Sequence, residues 1–83
     1  MAEGGRRHIV LDPRDNVATL LDDCRDAPAL DGGGRVAPGV PFGHKVALCD
    51  IAAGAAVVKY GVTIGHALAP IACGDHVHVH NCK

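Results

Sequence analysis

Aromatic residues are almost absent from this 83-residue sequence, which contains one Phe, one Tyr and no Trp. An apolar core must therefore be built from Val, Ile, Leu and Ala. A chain of this length buries roughly 60–65% of the surface that its unfolded state exposes, which is enough for one small core. We therefore expect a single domain that spans residues 1–83.

The sequence also lacks long runs of charged residues and long runs of apolar residues. Its formal net charge is −1, and its longest basic run is the pair Arg6-Arg7, which we expect to lie in a solvated N-terminal tail. Domains that bind nucleic acid carry a basic patch, so no nucleic-acid partner is expected. No stretch of about 18 apolar residues is present, and Met1–Val10 has no signal-peptide segment. We therefore expect no membrane partner and a cytoplasmic location.

The four cysteines of the sequence form no Cys-x-x-Cys pair. Zinc ribbons need that spacing, so a structural zinc site of this type is not expected. Disulfides persist mainly in exported proteins, and we expect reduced thiols here.

Glycine and proline are abundant, with 11 Gly and five Pro. Many turns combined with many β-branched residues are typical of short strands, so we predict a mainly β fold with little helix. Residues 22–43 should form an irregular Gly- and Pro-rich loop. Val17–Leu21 is compatible with one or two helical turns or with a strand, and Gly61–Gly65 either continues a strand or turns. The expected strands are His8–Leu11, Lys45–Cys49, Ala56–Tyr60 and Asp75–His80.

A short internal repeat is visible as Ile51-Ala52-x-Gly54 and Ile71-Ala72-x-Gly74, each followed by a valine three residues later. Glycine adopts positive φ at little steric cost. We therefore predict two similar turns that lead into strands and fold the sheet over on itself.

The most informative segment contains His76, His78 and His80 in alternation with Val77 and Val79. On a strand the three imidazoles would share one face, and the two valines would be buried on the other. Neutral imidazole is a common ligand of divalent metals, so His76, His78 and His80 are candidate metal ligands. The alternative is a histidine face that is solvated or hydrogen-bonded in pairs.

Polar residues also end two of the apolar strands, as His44-Lys45 and Lys59-Tyr60. A lysine ammonium at such a position can bind an anionic carboxylate. The alternative is that each lysine extends from the rim of the core into water.

Taken in order, these motifs resemble the SAF-type domain of the altronate/galactarate dehydratase family, which also includes small subunits of sulfolactate sulfo-lyases. The resemblance is dense from Gly43 to Asn81. Its motifs are Gly43-His44-Lys45-x-Ala47-Leu48, Asp50-Ile51-Ala52-x-Gly54, Val58-Lys59-Tyr60-Gly61-x-x-Ile64-Gly65-x-Ala67 and Ile71-Ala72-x-Gly74-x-His76-Val77-His78-x-His80-Asn81.

The resemblance implies a small β-clip fold and a lyase that acts on a small anionic hydroxy acid, such as a sugar acid. It implies a divalent metal, Fe²⁺ or Mn²⁺, shared with a cognate large catalytic subunit that completes the active site. The residues that it implicates in catalysis are His78, His80 and Lys59. Those that it implicates in substrate binding are His44, Lys45, Tyr60 and Asn81.

Two other functions remain open at this point. The chain could be a non-catalytic SAF module for binding or assembly, or a stand-alone metal-binding protein. A small sheet with an unpaired edge can also pair with itself, so a homo-oligomer is a further expectation.

Overall fold

Six short strands form the framework of the computed structural model, which describes residues 5–83. No helix is present in that range, so the predicted mainly β fold is confirmed, and no described helix is available to cross a membrane. Residues 1–4 of the expected domain, and of the segment Met1–Val10, lie outside the described residues. The strands are β1 (His8–Ile9), β2 (Val17–Leu20), β3 (Lys45–Ala47), β4 (Ala56–Lys59), β5 (Val62–His66) and β6 (His76–Val77).

The strands are arranged in two antiparallel sheets. One has four strands in the order β1-β2-β3-β6, and the other is the β4–β5 hairpin. In the larger sheet, Lys45 lies opposite Thr19 on one side and opposite Val77 on the other. This register brings the last strand beside the start of β3.

Strand β2 is buried along its whole length, because an apolar cluster covers each of its faces. Val17 belongs to one cluster, while Ala18 and Leu20 belong to the other. The stretch Val17–Leu21, for which helix and strand were both open, is therefore a strand. Full burial of a Val or Leu side chain contributes about 1.5–3 kcal/mol. The first cluster comprises Val17, Ala47, Ile51, Val57, Ala67, Ile71 and Val77, and the second comprises Ala18, Leu20, Leu30, Val36, Val40 and Val46.

A two-residue turn at Tyr60-Gly61 separates β4 from β5. Both residues have positive φ, 57° and 74°, as a type I′ hairpin turn requires. The Gly61 N–H donates to the Asp15 carboxylate, and a Cβ on Gly61 would lie 2.7 Å from a carboxylate oxygen of Asp12. The chain therefore reverses here, and the stretch Gly61–Gly65 enters a strand of its own.

The internal repeat forms the two predicted turns. Gly54 and Gly74 have φ values of 82° and 89°. Ile51 and Ile71 form an antiparallel bridge in which each N–H donates to the other's carbonyl, at 2.8 Å. The two copies of the repeat are therefore hydrogen-bonded to each other, and both isoleucines are buried in the same apolar cluster.

The prediction of a solvated Arg6-Arg7 tail is wrong for Arg6, although Arg7 is exposed. Arg6 is 0% exposed, because its guanidinium donates to the Asp22 carboxylate, the Asp22 carbonyl and the Val40 carbonyl. A buried charge requires such partners. Arg6 therefore holds the irregular loop 22–43 near both of its ends. At the exposed turn of this loop, Gly32, Gly33 and Gly34 all have positive φ.

Candidate functional site

Three histidines meet where β3 and β6 pair. Val46 lies opposite His76, and continuing the same antiparallel register places His44 opposite His78. The Nδ1 atom of His44 is 2.8 Å from Nε2 of His76. The rings of His44 and His78 are stacked, with their centroids 4.3 Å apart. The sheet thus gathers side chains that are about thirty residues apart in the sequence.

The last strand is shorter than predicted. β6 ends at Val77, and the chain turns so that the His78 carbonyl accepts hydrogen bonds from the N–H groups of Asn81 and Cys82. The predicted burial of Val79 is therefore wrong: Val77 is 0% exposed and Val79 is 78% exposed. The alternation of valines continues to Val79 in the sequence, but β6 ends before Val79.

Asn81 holds this turn in place. Its side-chain carbonyl accepts a hydrogen bond from the His78 N–H, and its amide donates to the His76 carbonyl. Both groups were expected to meet the substrate, yet here they fix the backbone beside two of the histidines. The role of Asn81 in substrate binding stays a prediction.

The geometry of a metal site is present in His44, His76 and His78. One ligand nitrogen from each lies within 4.8 Å of the other two. Metal–nitrogen bonds of about 2.1 Å require ligand nitrogens about 3–3.5 Å apart, so small side-chain rotations suffice and this donor set fits a divalent metal. The His80 ring lies 5.4 Å from that of His76 and is exposed.

Sequence reasoning placed His44 among the substrate-binding residues and His80 among the ligands. The structure instead groups His44 with His76 and His78. His44 could have been recognised as a member of the cluster by assuming that the segment His44–Leu48 pairs with Asp75–His80. Antiparallel pairing brings the start of one segment beside the end of the other.

Local electrostatics favour the neutral form of the imidazoles. Burial lowers the pKa of His76 to about 4, and neighbouring His44, His80, His78 and Lys45 reinforce the effect. Burial also lowers the pKa of His78, with further contributions from His44 and Lys45. Neutral imidazole carries the lone pair that binds a metal, so the lowered pKa of each ring favours the metal-binding form at pH 7.

Lys59 and Tyr60 lie away from the histidines. The N–H of Val58 donates to the side chain of Asn16, just before β2, whereas the N–H of Leu20, at the end of β2, donates to the His44 carbonyl. The extended chain from Asn16 to Leu20 spans about 13 Å. The end of β4 and the histidine cluster therefore lie beside opposite ends of β2. The Lys59 ammonium instead lies 4.8 Å from the Tyr60 ring centre. Lys45, by contrast, neighbours the cluster.

Known proteins resemble this chain over nearly its whole described length. Residues 6–83 match the family model described as the altronate/galactarate dehydratase SAF domain. The chain is 44% identical over 80 residues to altronate dehydratase of Escherichia coli, which covers 93% of this chain and 16% of that protein. It is 40% identical over 78 residues to altronate dehydratase of Bacillus subtilis, with coverages of 90% and 16%.

A shorter relative is the (2R)-sulfolactate sulfo-lyase subunit alpha of Paracoccus pantotrophus. The two are 50% identical over 44 residues, which covers 53% of this chain and 66% of the relative. The chain spans about one sixth of the length of the altronate dehydratases that it matches. The family match covers nearly every described residue, and the chain belongs to the altronate/galactarate dehydratase SAF domain family.

Proposed function

We propose that this chain is the small subunit, or small domain, of a metal-dependent lyase that acts on a sugar acid or a similar hydroxy acid. It contributes a histidine cluster to an active site that a larger chain completes. The observation that carries the proposal is the cluster itself: His44, His76 and His78 offer three nitrogens within 4.8 Å of one another.

The relatives support a division of labour between this region and a larger one. The E. coli and B. subtilis relatives are named as dehydratases, and the chain covers 16% of each. The P. pantotrophus relative is named as a subunit of a sulfo-lyase. The names describe carbon–oxygen and carbon–sulfur lyases, both of which eliminate a leaving group from an acid.

The cluster suits Fe²⁺ or Mn²⁺, the metals that the resemblance implies, because imidazole binds first-row divalent ions. His44, His76 and His78 would hold the metal together with groups from the large chain. A metal bound there supplies Lewis-acid stabilisation of negative charge that develops on carboxylate and hydroxyl oxygens. His80 stays a candidate ligand from the sequence alone.

The residues around the cluster suggest how this chain would act on the substrate. His80 is exposed beside His76, so it is our candidate for the base that removes the proton α to the carboxylate. The charge of Lys45 is close enough to affect the pKa of both His76 and His78. An ammonium so placed would attract the substrate carboxylate. Catalysis by Lys59 and substrate binding by Tyr60 stay predictions.

The test is to co-express the tagged chain with a candidate large lyase chain. The purified complex is then assayed for dehydration of aldarates and for elimination of sulfite from sulfolactate, with Fe²⁺ or Mn²⁺ added. We expect a stable complex whose activity falls at least about 100-fold for His78→Ala, because a metal ligand and its charge stabilisation are lost.

The matched control is His8→Ala, since His8 lies on β1, at the opposite edge of the sheet from β6, and outside the cluster. It should retain wild-type activity. If His78→Ala is as active as His8→Ala, the cluster takes no part in the reaction. A chain that forms no complex but binds metal at micromolar affinity would instead be a metal-binding protein, since all three nitrogens come from this chain.

A further inference from the structure

Exposed apolar side chains lie beside the turn at residues 78–82 that follows β6, which we call the histidine loop. Ile64 in β5 and Leu68 just after it are 44% and 55% exposed, whereas Ala67 is buried in the core. Val79, in the turn after β6, is 78% exposed. We call Ile64, Leu68 and Val79 the β5 patch.

The β5 patch is connected to the histidine cluster through backbone hydrogen bonds. The Leu68 N–H donates to the Asn81 carbonyl at 2.9 Å, and Ala67 bridges Cys82. The turn that carries Val79 therefore packs along the end of β5. Because the Asn81 side chain also binds the backbone of His76 and His78, the patch and the cluster are parts of one ordered unit.

We infer that the β5 patch is the surface on which the large lyase chain docks, and that docking covers the histidine cluster. This inference rests on the proposed function. Val79 lies between His78 and His80 in the sequence, so a partner that buries Val79 necessarily approaches both histidines. Covering a polar site in this way excludes water and strengthens the electrostatic interactions between the groups inside it.

The length of the relatives and the area of the surface both favour the large lyase chain as the partner at the β5 patch. The altronate dehydratases contain about six times the length of this chain, so in them this domain has a large neighbour to contact. A standard interface buries about 800 Å² per partner, roughly a sixth of the 4640 Å² surface of the described chain. A few well-packed side chains near the centre of such an interface supply most of its affinity.

The test measures the dissociation constant between the full chain and the purified large lyase chain by isothermal titration calorimetry. Val79→Glu and Leu68→Glu place a charge in the centre of the patch, and each should weaken binding at least about tenfold. The matched control is Leu11→Glu. Leu11 is 63% exposed and follows β1, at the opposite edge of the sheet from β6, so this variant should bind within about twofold of wild type.

Thermal unfolding of each isolated variant checks that it folds. Val79→Ser removes the apolar surface without adding charge and should weaken binding in the same direction. If wild type binds the large chain and the patch variants bind equally well, the docking inference is overturned and the proposed function stands. If wild type does not bind, both are overturned. A wild-type dimer by light scattering that Val79→Glu abolishes would assign the patch to self-association and overturn the inference.

Discussion

The side chain of His44 reaches His76 although 32 residues separate them in the sequence. The backbone positions each imidazole: His44 immediately precedes β3, β6 carries His76, and Asn81 fixes His78 just beyond β6. Burial and mutual proximity keep His76 and His78 neutral at pH 7 by lowering the pKa of each. Neutral rings held close together are the condition for binding a divalent ion.

This arrangement predicts which histidines bind metal. In the isolated chain, His44→Ala should lower the affinity for Mn²⁺ at least about tenfold, because one of three converging nitrogens is lost. His80→Ala should change the affinity less than about threefold, since His80 is exposed beside the cluster. Calorimetric titration at pH 7 measures both.

An equal loss of affinity in the two variants would show that His80 is a ligand, as the sequence alone suggested. Loss only in His80→Ala would contradict the role assigned to His44. His8→Ala is again the control, because His8 is outside the cluster.

Sequence reasoning found His76 and His78 because their spacing is local and alternation on a strand places them on one face. It assigned His44 a different role because strand pairing across 32 residues leaves no local signal. Arg6 was missed for a related reason. A basic pair near a terminus looks solvated, and only the fold brings the acceptors of Asp22 and Val40 to its guanidinium.

At the scale of elements, the irregular loop 22–43 depends on this buried arginine. Arg6 Nε donates to the Asp22 carboxylate at 3.0 Å, and the Arg7 N–H donates to the same carboxylate at 2.8 Å. These hydrogen bonds, the one from the Arg7 backbone foremost, hold the pKa of Asp22 below its ordinary value against the opposing effect of burial. The loop is thus fixed where it leaves β2.

Asp22→Asn should destabilise the fold by about 2 kcal/mol at pH 7, because a buried guanidinium loses its carboxylate. Since folding lowers the pKa of Asp22, its contribution is fully present above the unfolded value of about 4 and is lost as the pH falls through the folded value. Thermal unfolding of the two proteins should therefore differ at pH 7 and converge towards pH 2.

Asp26→Asn, at an exposed position in the same loop, should change the unfolding temperature little at any of these pH values. A wild-type advantage over Asp22→Asn that persists unchanged at pH 2 would contradict the charge-based account of the loop anchor.

The elements themselves were partly predictable. Apolar β-branched runs located β3 and β4, and the repeated glycines located the two turns that meet at Ile51 and Ile71. The end of β6 was not predictable, because Val79 continues the same alternation as Val77. What ends the strand is the turn closed by Asn81 onto His78, a hydrogen-bonding pattern that alternation does not encode.

At the scale of the whole molecule, the described residues 5–83 form two small apolar clusters and leave several large apolar side chains exposed to water. Among these, the β5 patch adjoins the histidine loop. We propose that this patch and the three-nitrogen site face one partner, and the longer relatives contain additional polypeptide.

The most direct measurement is the lyase activity of the purified large chain, with Fe²⁺ or Mn²⁺, as this chain is titrated into it. We predict little activity from either component alone and a rise that saturates at one equivalent, with no rise when the His44→Ala variant is added. Full activity of the large chain by itself, unchanged by this chain, would contradict the proposal that the histidine cluster is part of the active site.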